Sequence, residues 1–237
     1  MNNKPILIIS RYNEDVSWIK EYEDKYDYII YNKGEALPNN HPELCLCGYN
    51  FINVENIGGN QRDIFQYIHD NYDHLLEIMI FIQAYPFDHR KKETFDTLIH
   101  NNKLTALEDY SHITDHSATL SGAQKLDIDG GYMEINNSWY IQAHNSSHNR
   151  SCRWSTFDEF MDEHFNNYIR EDYNRFTPGS QYLITKDIAK HYPKEFWAYL
   201  RDILCKNYMT EAHIVERALL KILNCSLEPA EIFYQKQ

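Results

Sequence analysis

Residues 78–82 form an unbroken apolar run, Ile-Met-Ile-Phe-Ile, and Gln83, Tyr85, Pro86, Asp88 and His89 follow it at once. A short run rich in β-branched and aromatic residues, closed by a proline, predicts a strand covered on both faces. Residues 5–10 (PILIIS) read the same way. So do residues 26–31 (YDYIIY), which the turn sequence Asn32-Lys33-Gly34 closes. Between these strands the period becomes helical. Val16, Ile19 and Tyr22 mark a short helix that Asp15 or Ser17 can cap, and Ile64, Tyr67, Ile68, Tyr72 and Leu75 mark a longer one over about 61–76. Strand, helix, strand, helix, strand is the order of an α/β sheet with helices on its faces.

The rest of the chain is less regular. A short helix is predicted over 94–98, and residues 104–131, polar and rich in His and Asp, predict a long loop. Residues 132–142 alternate enough for a strand pair or one bent strand. Thr156 and Glu159 have capping-box spacing and open a helix that turns Phe157, Phe160, Met161, Phe165 and Ile169 inward. Residues 181–185 predict another strand. Thr185 then caps a short helix that Pro193 ends and restarts, with Phe196, Tyr199, Leu200 and Ile203 buried. Thr210 opens the last helix, with Ile214, Ala218 and Ile222 along one face, and residues 226–237 read as a loose tail.

Composition narrows the classes. With 237 residues the chain suits one domain, and 19 Tyr and 11 Phe exclude a disordered protein and favour stacking surfaces for planar or sugar ligands. A net charge of −12 argues against a sequence-independent grip on nucleic acid or on anionic membrane. The basic run Arg90-Lys91-Lys92 reads as a solvated turn, with contact to a phosphate as the alternative. Five cysteines at irregular spacing suggest reduced thiols in a cytosolic compartment, and Cys45-Leu-Cys47 is too tight for a usual zinc pair. No apolar stretch approaches the roughly 20 residues that span a bilayer. The expectation is a soluble, cytoplasmic protein, with peripheral membrane association left open.

Candidate chemistry gathers at the predicted strand ends. The first strand delivers Arg11, Tyr12, Asn13, Glu14 and Asp15; the start of the second helix delivers Gly58, Gly59, Gln61, Arg62 and Asp63; the central strand delivers Gln83, Asp88 and His89. A Gly-Gly turn opening a helix lets backbone N–H groups approach an anion, and Arg62 there suits a phosphate or a sugar hydroxyl. Polar clusters at the carboxyl ends of adjacent strands mark a ligand crevice. Other signals are weaker. His112, His116, His144 and His148 lack a metal-binding pattern on a helix, and Asp127-Ile-Asp129-Gly130 is explained as a turn. No Gly-x-Ser-x-Gly, Walker loop or Gly-x-Gly-x-x-Gly is present, which disfavours a serine hydrolase, ATP hydrolysis and a dinucleotide site.

Arg11-Tyr-Asn-Glu-Asp15 with Trp18, Tyr31-Asn-Lys-Gly34, and Gln83-Ala-Tyr-Pro-Phe-Asp-His89 resemble the hallmark motifs of an uncharacterised domain-of-unknown-function family. Gly179-Ser-Gln-Tyr182 and Glu216-Arg217 resemble its two later motifs, so the resemblance spans residues 5–223 with a non-matching stretch in the middle. That family is similar in layout to GT-A-type glycosyltransferases. The resemblance implies a single GT-A-like (Rossmann-like) α/β domain over residues 1–237, with a mixed, mostly parallel sheet covered by helices on both faces. Residues 1–92 would form the donor-nucleotide half and about 130–225 the acceptor half. The implied activity is transfer of a sugar from a nucleotide-sugar donor to a glycan or glycoconjugate, as in polysaccharide biosynthesis.

On that resemblance, donor binding falls to Arg11, Tyr12, Asn13, Glu14, Asp15, Lys33, Gly58, Arg62, Asp63 and Gln83, and acceptor binding to Gln181. The usual metal-binding Asp-x-Asp is absent from the central strand. Either Asp88 and His89 hold Mn2+ or Mg2+, or cations such as Arg11 and Arg62 stabilise the leaving diphosphate without metal. An inverting transfer, which is favoured, needs a carboxylate to take the acceptor's proton. Glu216 matches the family motif and Glu211, one turn earlier, is its rival; helix-dipole complementation explains Glu211 equally well, and a salt bridge explains Glu216. Two further classes stay open: a metal-dependent hydrolase using Asp88, His89 and the loop histidines, and a non-catalytic carbohydrate-binding protein.

Overall fold

Parallel strands in the order β3-β2-β1-β4 form the centre of a six-stranded sheet, with β1 at Ile6–Arg11, β2 at Asp27–Asn32, β3 at Phe51–Asn53 and β4 at Ile78–Gln83. The two-residue β5 (Thr105–Ala106) closes one edge. It pairs antiparallel with β8 (Tyr182–Thr185), which itself runs antiparallel to β4. The sheet is therefore mixed. A separate antiparallel pair joins β6 (Ala123–Lys125) to β7 (Tyr173–Arg175). The structure, a computed structural model, describes residues 4–35, 50–88, 90–108, 123–125, 153–154, 157–170, 173–204 and 209–234.

The strand pattern has a direct physical reading. Successive side chains point to opposite faces, so an unbroken apolar run needs cover on both. Ile8, Ile29, Tyr31, Met79, Phe81, Tyr182 and Ile184 pack into one core, and Leu7, Ile9, Ile30, Ile80, Ile82 and Leu183 into the other. The first core is the thicker. It is covered by α1 (Gly59–Asp70), α3 (Phe157–His164), α5 (Lys194–Ile203) and α6 (Met209–Leu223), with Ala189 from α4 (Lys186–His191). The second is closed by the 3-10 turn Ser17–Glu21 and by α2 (Lys92–Leu98), through Val16, Ile19, Tyr22 and Phe95.

Several expectations are corrected. The predicted helix over 61–76 starts at Gly59, stops at Asp70 and continues only as the 3-10 turn Tyr72–His74. The predicted loop over 104–131 contains two short strands, β5 and β6, each two or three residues long and too short to leave a periodic signal. The helix expected to bury Ile169 ends at His164, and Ile169 is 78% exposed. Thr185 occupies the N-cap of α4 without a side-chain capping bond, and Thr210 falls inside α6 instead of before it. The supposed tail is docked as far as the turn Glu231–Tyr234. There the Ala230 amide bonds the His164 carbonyl (2.8 Å), and the Phe233 ring sits 4.4 Å from that of Phe196 and 4.8 Å from that of Tyr199. Residues 132–142 and Thr156 lie outside the described residues. So do four of the cysteines; Cys225 is a free thiol. Among the described residues, no helix is long and apolar enough to cross a membrane.

The connections position the site. From β1 the chain moves to β2 on one side; from β3 it crosses back through α1 and lands as β4 on the other side of β1. In such a sheet the two outgoing connections part beyond the carboxyl ends of β1 and β4, and a crevice opens there.

Candidate functional site

A cleft of about 220 Å³ occupies that position. Its walls come from the end of β1 (Ser10, Arg11), the loop after it (Tyr12, Glu14), the residue after β2 (Lys33), the loop before α1 (Asn56) and its start (Gly59, Asn60), and the end of β4 with the turn that follows (Gln83, Tyr85, Asp88). Two of the three polar clusters that the sequence places at strand ends meet in this hollow, through Arg11, Tyr12 and Glu14 and through Gln83 and Asp88; of the third, only Gly59 reaches it. Tyr12 and Tyr85 stand at 52% and 47% exposure and offer two aromatic faces to a ligand.

The loop after β1 is held by its own polar groups. Glu14 Oε2 accepts the backbone N–H groups of Tyr12 (2.7 Å) and Asn13 (3.1 Å), and Asn13 Oδ1 accepts the Glu35 amide (3.1 Å). Asp15 takes the backbone N–H (2.8 Å) and hydroxyl (2.7 Å) of Ser17, which starts the following 3-10 turn. Arg11 is buried; its Nε donates to the Glu14 carbonyl (2.9 Å) and its Nη1 to Asn32 Oδ1 (2.7 Å). Gly34 packs directly on this loop, and a β-carbon there would fall on the Tyr12 carbonyl oxygen. The first two motifs are thus one interlocked unit. Trp18 ties it to β4 by donating from its indole to the Ala84 carbonyl (2.7 Å).

Beneath the cleft lies a buried ion pair. Lys33 Nζ stands 3.1 Å from Asp63 Oδ2, and the Ser10 hydroxyl donates to the same oxygen (2.6 Å). Lys33 also donates to the carbonyls of Ile57 (3.3 Å) and Gly59. An ammonium has three protons, and these three acceptors use them, so Lys33 clamps the first turn of α1 to β2. Burial pushes the Asp63 carboxyl up, against the pull of Lys33 and Ser10, and pushes the Lys33 ammonium down, against the pull of Asp63. Asp63 is sealed under the cleft and does not line it.

Other expected residues are placed differently. Gly58 is the left-handed N-cap of α1 (φ 69°), where a β-carbon would lie 2.8 Å from Arg62 Cβ and 2.9 Å from Leu204 Cβ. The Arg62 stem packs over Gly58, so neither residue joins the cleft wall, although Arg62 Nε is buried with no hydrogen-bond partner among the described residues. Gln181 is fully buried; it accepts from Arg90 Nη1 (3.0 Å) and donates to the Pro178 carbonyl (3.3 Å), and it has no exposed surface for an acceptor. Glu211 is buried near the start of α6, away from the cleft wall. Glu216 is also buried, with Oε1 accepting the Gly179 amide (2.8 Å) and Oε2 accepting from Arg217 Nη1 (2.9 Å). Burial alone would raise its carboxyl; His213 (3.9 Å), Arg217 and the Gly179 amide together hold it below the usual range.

Ser10, Asn56 and Asn60 escaped the sequence reading as site residues. The signal at Ser10 and Asn60 was positional, beside Arg11 at the end of β1 and in the first turn of α1; Asn56, in the loop between β3 and α1, gave none. Metal fit is limited. Among the described residues no group of three His, Cys, Asp or Glu is placed to hold an ion, and His89 lies outside them. Of the two cleft carboxylates, Glu14 is engaged by backbone amides. Asp88 alone suits Mg2+ or Mn2+ only where the ion draws its other ligands from phosphate oxygens and water.

A family model described as "Protein of unknown function (DUF3431)" matches residues 6–224. No curated protein and no solved structure matches the chain.

Proposed function

The chain belongs to that family, and we propose that it is a nucleotide-sugar-dependent glycosyltransferase whose donor occupies the cleft between β1 and β4. The observation that carries the reading is a polar hollow at the switch point of an α/β sheet, flanked by two exposed tyrosine rings. Tyr12 and Tyr85 would stack on the base or sugar. Asn56, Asn60 and Gln83 would hydrogen bond hydroxyls and phosphate oxygens. The α1 N-terminus and the cations Arg11 and Lys33 in the wall favour a diphosphate. Asp88 would hold a divalent cation, which supplies positive charge where the leaving diphosphate develops its own negative charge. The acceptor would be a glycan or glycoconjugate.

A thermal-shift series with UDP-, GDP-, CMP- and ADP-sugars, with and without Mn2+, tests the reading. A true donor at a hundredfold excess over its Kd stabilises by about 2.7 kcal/mol. Asp88→Asn should remove the manganese-dependent part and leave the rest. A second reading, a carbohydrate-binding protein without chemistry, is favoured by the same tyrosine pair and by the internal engagement of Lys33. It gains if free sugars shift the melt and nucleotide-sugars do no better.

A further inference from the structure

Gly179 and Ser180 are consecutive residues in the left-handed region, with φ of 72° and 55°. Glycine adopts that backbone freely, whereas Ser180 does so only if its surroundings hold it there. The turn Pro178–Ser180 sits beside the end of β4 and is held by three hydrogen bonds. Glu216 Oε1 accepts the Gly179 amide (2.8 Å), Asn60 Nδ2 donates to the Gly179 carbonyl (3.1 Å), and the Ser180 amide bonds the Thr177 carbonyl (2.9 Å). Gly179 also lies against Gln83: a β-carbon there would come within 2.6 Å of Gln83 Oε1. Asn60 and Gln83 both line the cleft.

Glu216 is anchored from behind. Arg217 Nη1 donates to its Oε2 and to the His213 carbonyl (2.9 Å each), the Arg217 guanidinium lies 4.5 Å from the Phe176 ring, and Asn174 Nδ2 donates to the Arg217 carbonyl (2.7 Å). Both Glu216 oxygens therefore already accept a hydrogen bond. A general base must also reach the acceptor hydroxyl, and Glu216 is not part of the cleft wall.

We propose that Glu216 is a positioning residue: its carboxylate fixes the Gly179–Ser180 turn, and the turn sets Asn60 and Gln83 in the cleft. In this way α6 acts on ligand binding without touching ligand. The proposal rests on the reading of the β1/β4 cleft as the donor site, and its test separates the two. In the ligand-free full chain, Glu216→Ala should speed hydrogen exchange of the Gly179 amide about tenfold or more, because a charge-assisted bond is lost. It should also move the side-chain amide NMR signals of Asn60 and Gln83. Glu216→Gln can turn its carbonyl oxygen to Gly179, although its NH2 then faces the Arg217 guanidinium, so both should stay closer to wild type than in Glu216→Ala.

Gly179→Ala leaves Glu216 in place and should displace Gln83, so it reports on the same coupling if the alanine variant at 216 fails to fold. Calorimetry with UDP-glucose and GDP-mannose should then show Glu216→Ala and Gly179→Ala weakening binding about tenfold and Glu216→Gln weakening it less. Unchanged exchange in Glu216→Ala overturns the proposal. So does a Glu216→Gln variant that binds donor normally and has lost turnover, since that is the signature of a base. If neither probe binds the wild type, the donor reading falls and the exchange and NMR results alone decide the role of Glu216.

Discussion

Two buried polar sites, one under the cleft and one in the thicker core, solve the same problem in opposite ways. Under the cleft, Lys33 and Asp63 form an ion pair with Ser10 and two backbone carbonyls completing the shell. In the core, His164 sits among Trp154, Phe160 and Phe233, with its Nδ1 2.6 Å from the Phe160 carbonyl and its Nε2 3.1 Å from the Tyr199 hydroxyl. A carbonyl only accepts, so Nδ1 carries a proton; burial lowers the pKa of the ring, which favours the neutral form with Nε2 accepting from the Tyr199 hydroxyl. Charge is kept where it fixes backbone at the mouth of a cleft. Where the task is only to fill a core, the polar group stays uncharged.

The comparison breaks most sharply at Lys33. Lys33→Met removes one partner of a buried pair and frees the carbonyls of Ile57 and Gly59, so unfolding in urea should show a loss of about 3–5 kcal/mol. Asp63 can relieve part of this by taking up a proton. The double variant Lys33→Met/Asp63→Leu should be less destabilised than the single one, because no charge is then left behind. A single variant within about 0.5 kcal/mol of wild type, the range of an ordinary surface change, would mean that the pair is not a clamp.

A smaller effect is expected at the interlock of the first two motifs. Gly34→Ala places a methyl group on the Tyr12 carbonyl, a backbone atom that yields only if the loop moves. Forcing an extra carbon into a packed site costs about 1–3 kcal/mol. The displacement should also move Tyr12 away from the cleft, so any nucleotide-sugar that stabilises the wild type should stabilise this variant less. Full stability with full ligand response would show that the two motifs are independent.

What was legible in the chain follows the same division. The run at 78–82 announced a strand covered on both faces, and β4 is one; the polar stop after it reaches the cleft through Gln83, Tyr85 and Asp88. Strand ends could be read because apolar runs stop abruptly there. Side-chain direction could not. Arg62 and Asp63 are neighbours in sequence, yet one packs over Gly58 and the other is sealed beneath Ser10, since successive helix positions point about 100° apart. Gln181 and Glu216 looked available because polarity suggests exposure, and only the fold supplies the Arg90 and Gly179 partners that absorb them. The docking of Phe233 was equally hidden, because the short run Ile232-Phe233-Tyr234 in an otherwise polar tail is too brief to show a period.

The mildest test concerns His164, and acid alone should distinguish the two sites. Burial lowers the folded-state pKa of this ring, although the Phe160 carbonyl opposes the shift. The unfolded chain therefore binds more protons than the folded one between the two pKa values. The stability that the neutral ring contributes is complete above about pH 6.5, the unfolded value, and is lost as pH falls from there through the lower folded value. The urea midpoint of the wild type should drop across that window. His164→Gln keeps a donor for Phe160 and an acceptor for Tyr199 but has nothing to titrate, so its midpoint should start lower at neutral pH and fall less steeply. Equal slopes would show that the ring accommodates its charge as the cleft pair does. The contrast between a charged floor and a neutral core would then be lost.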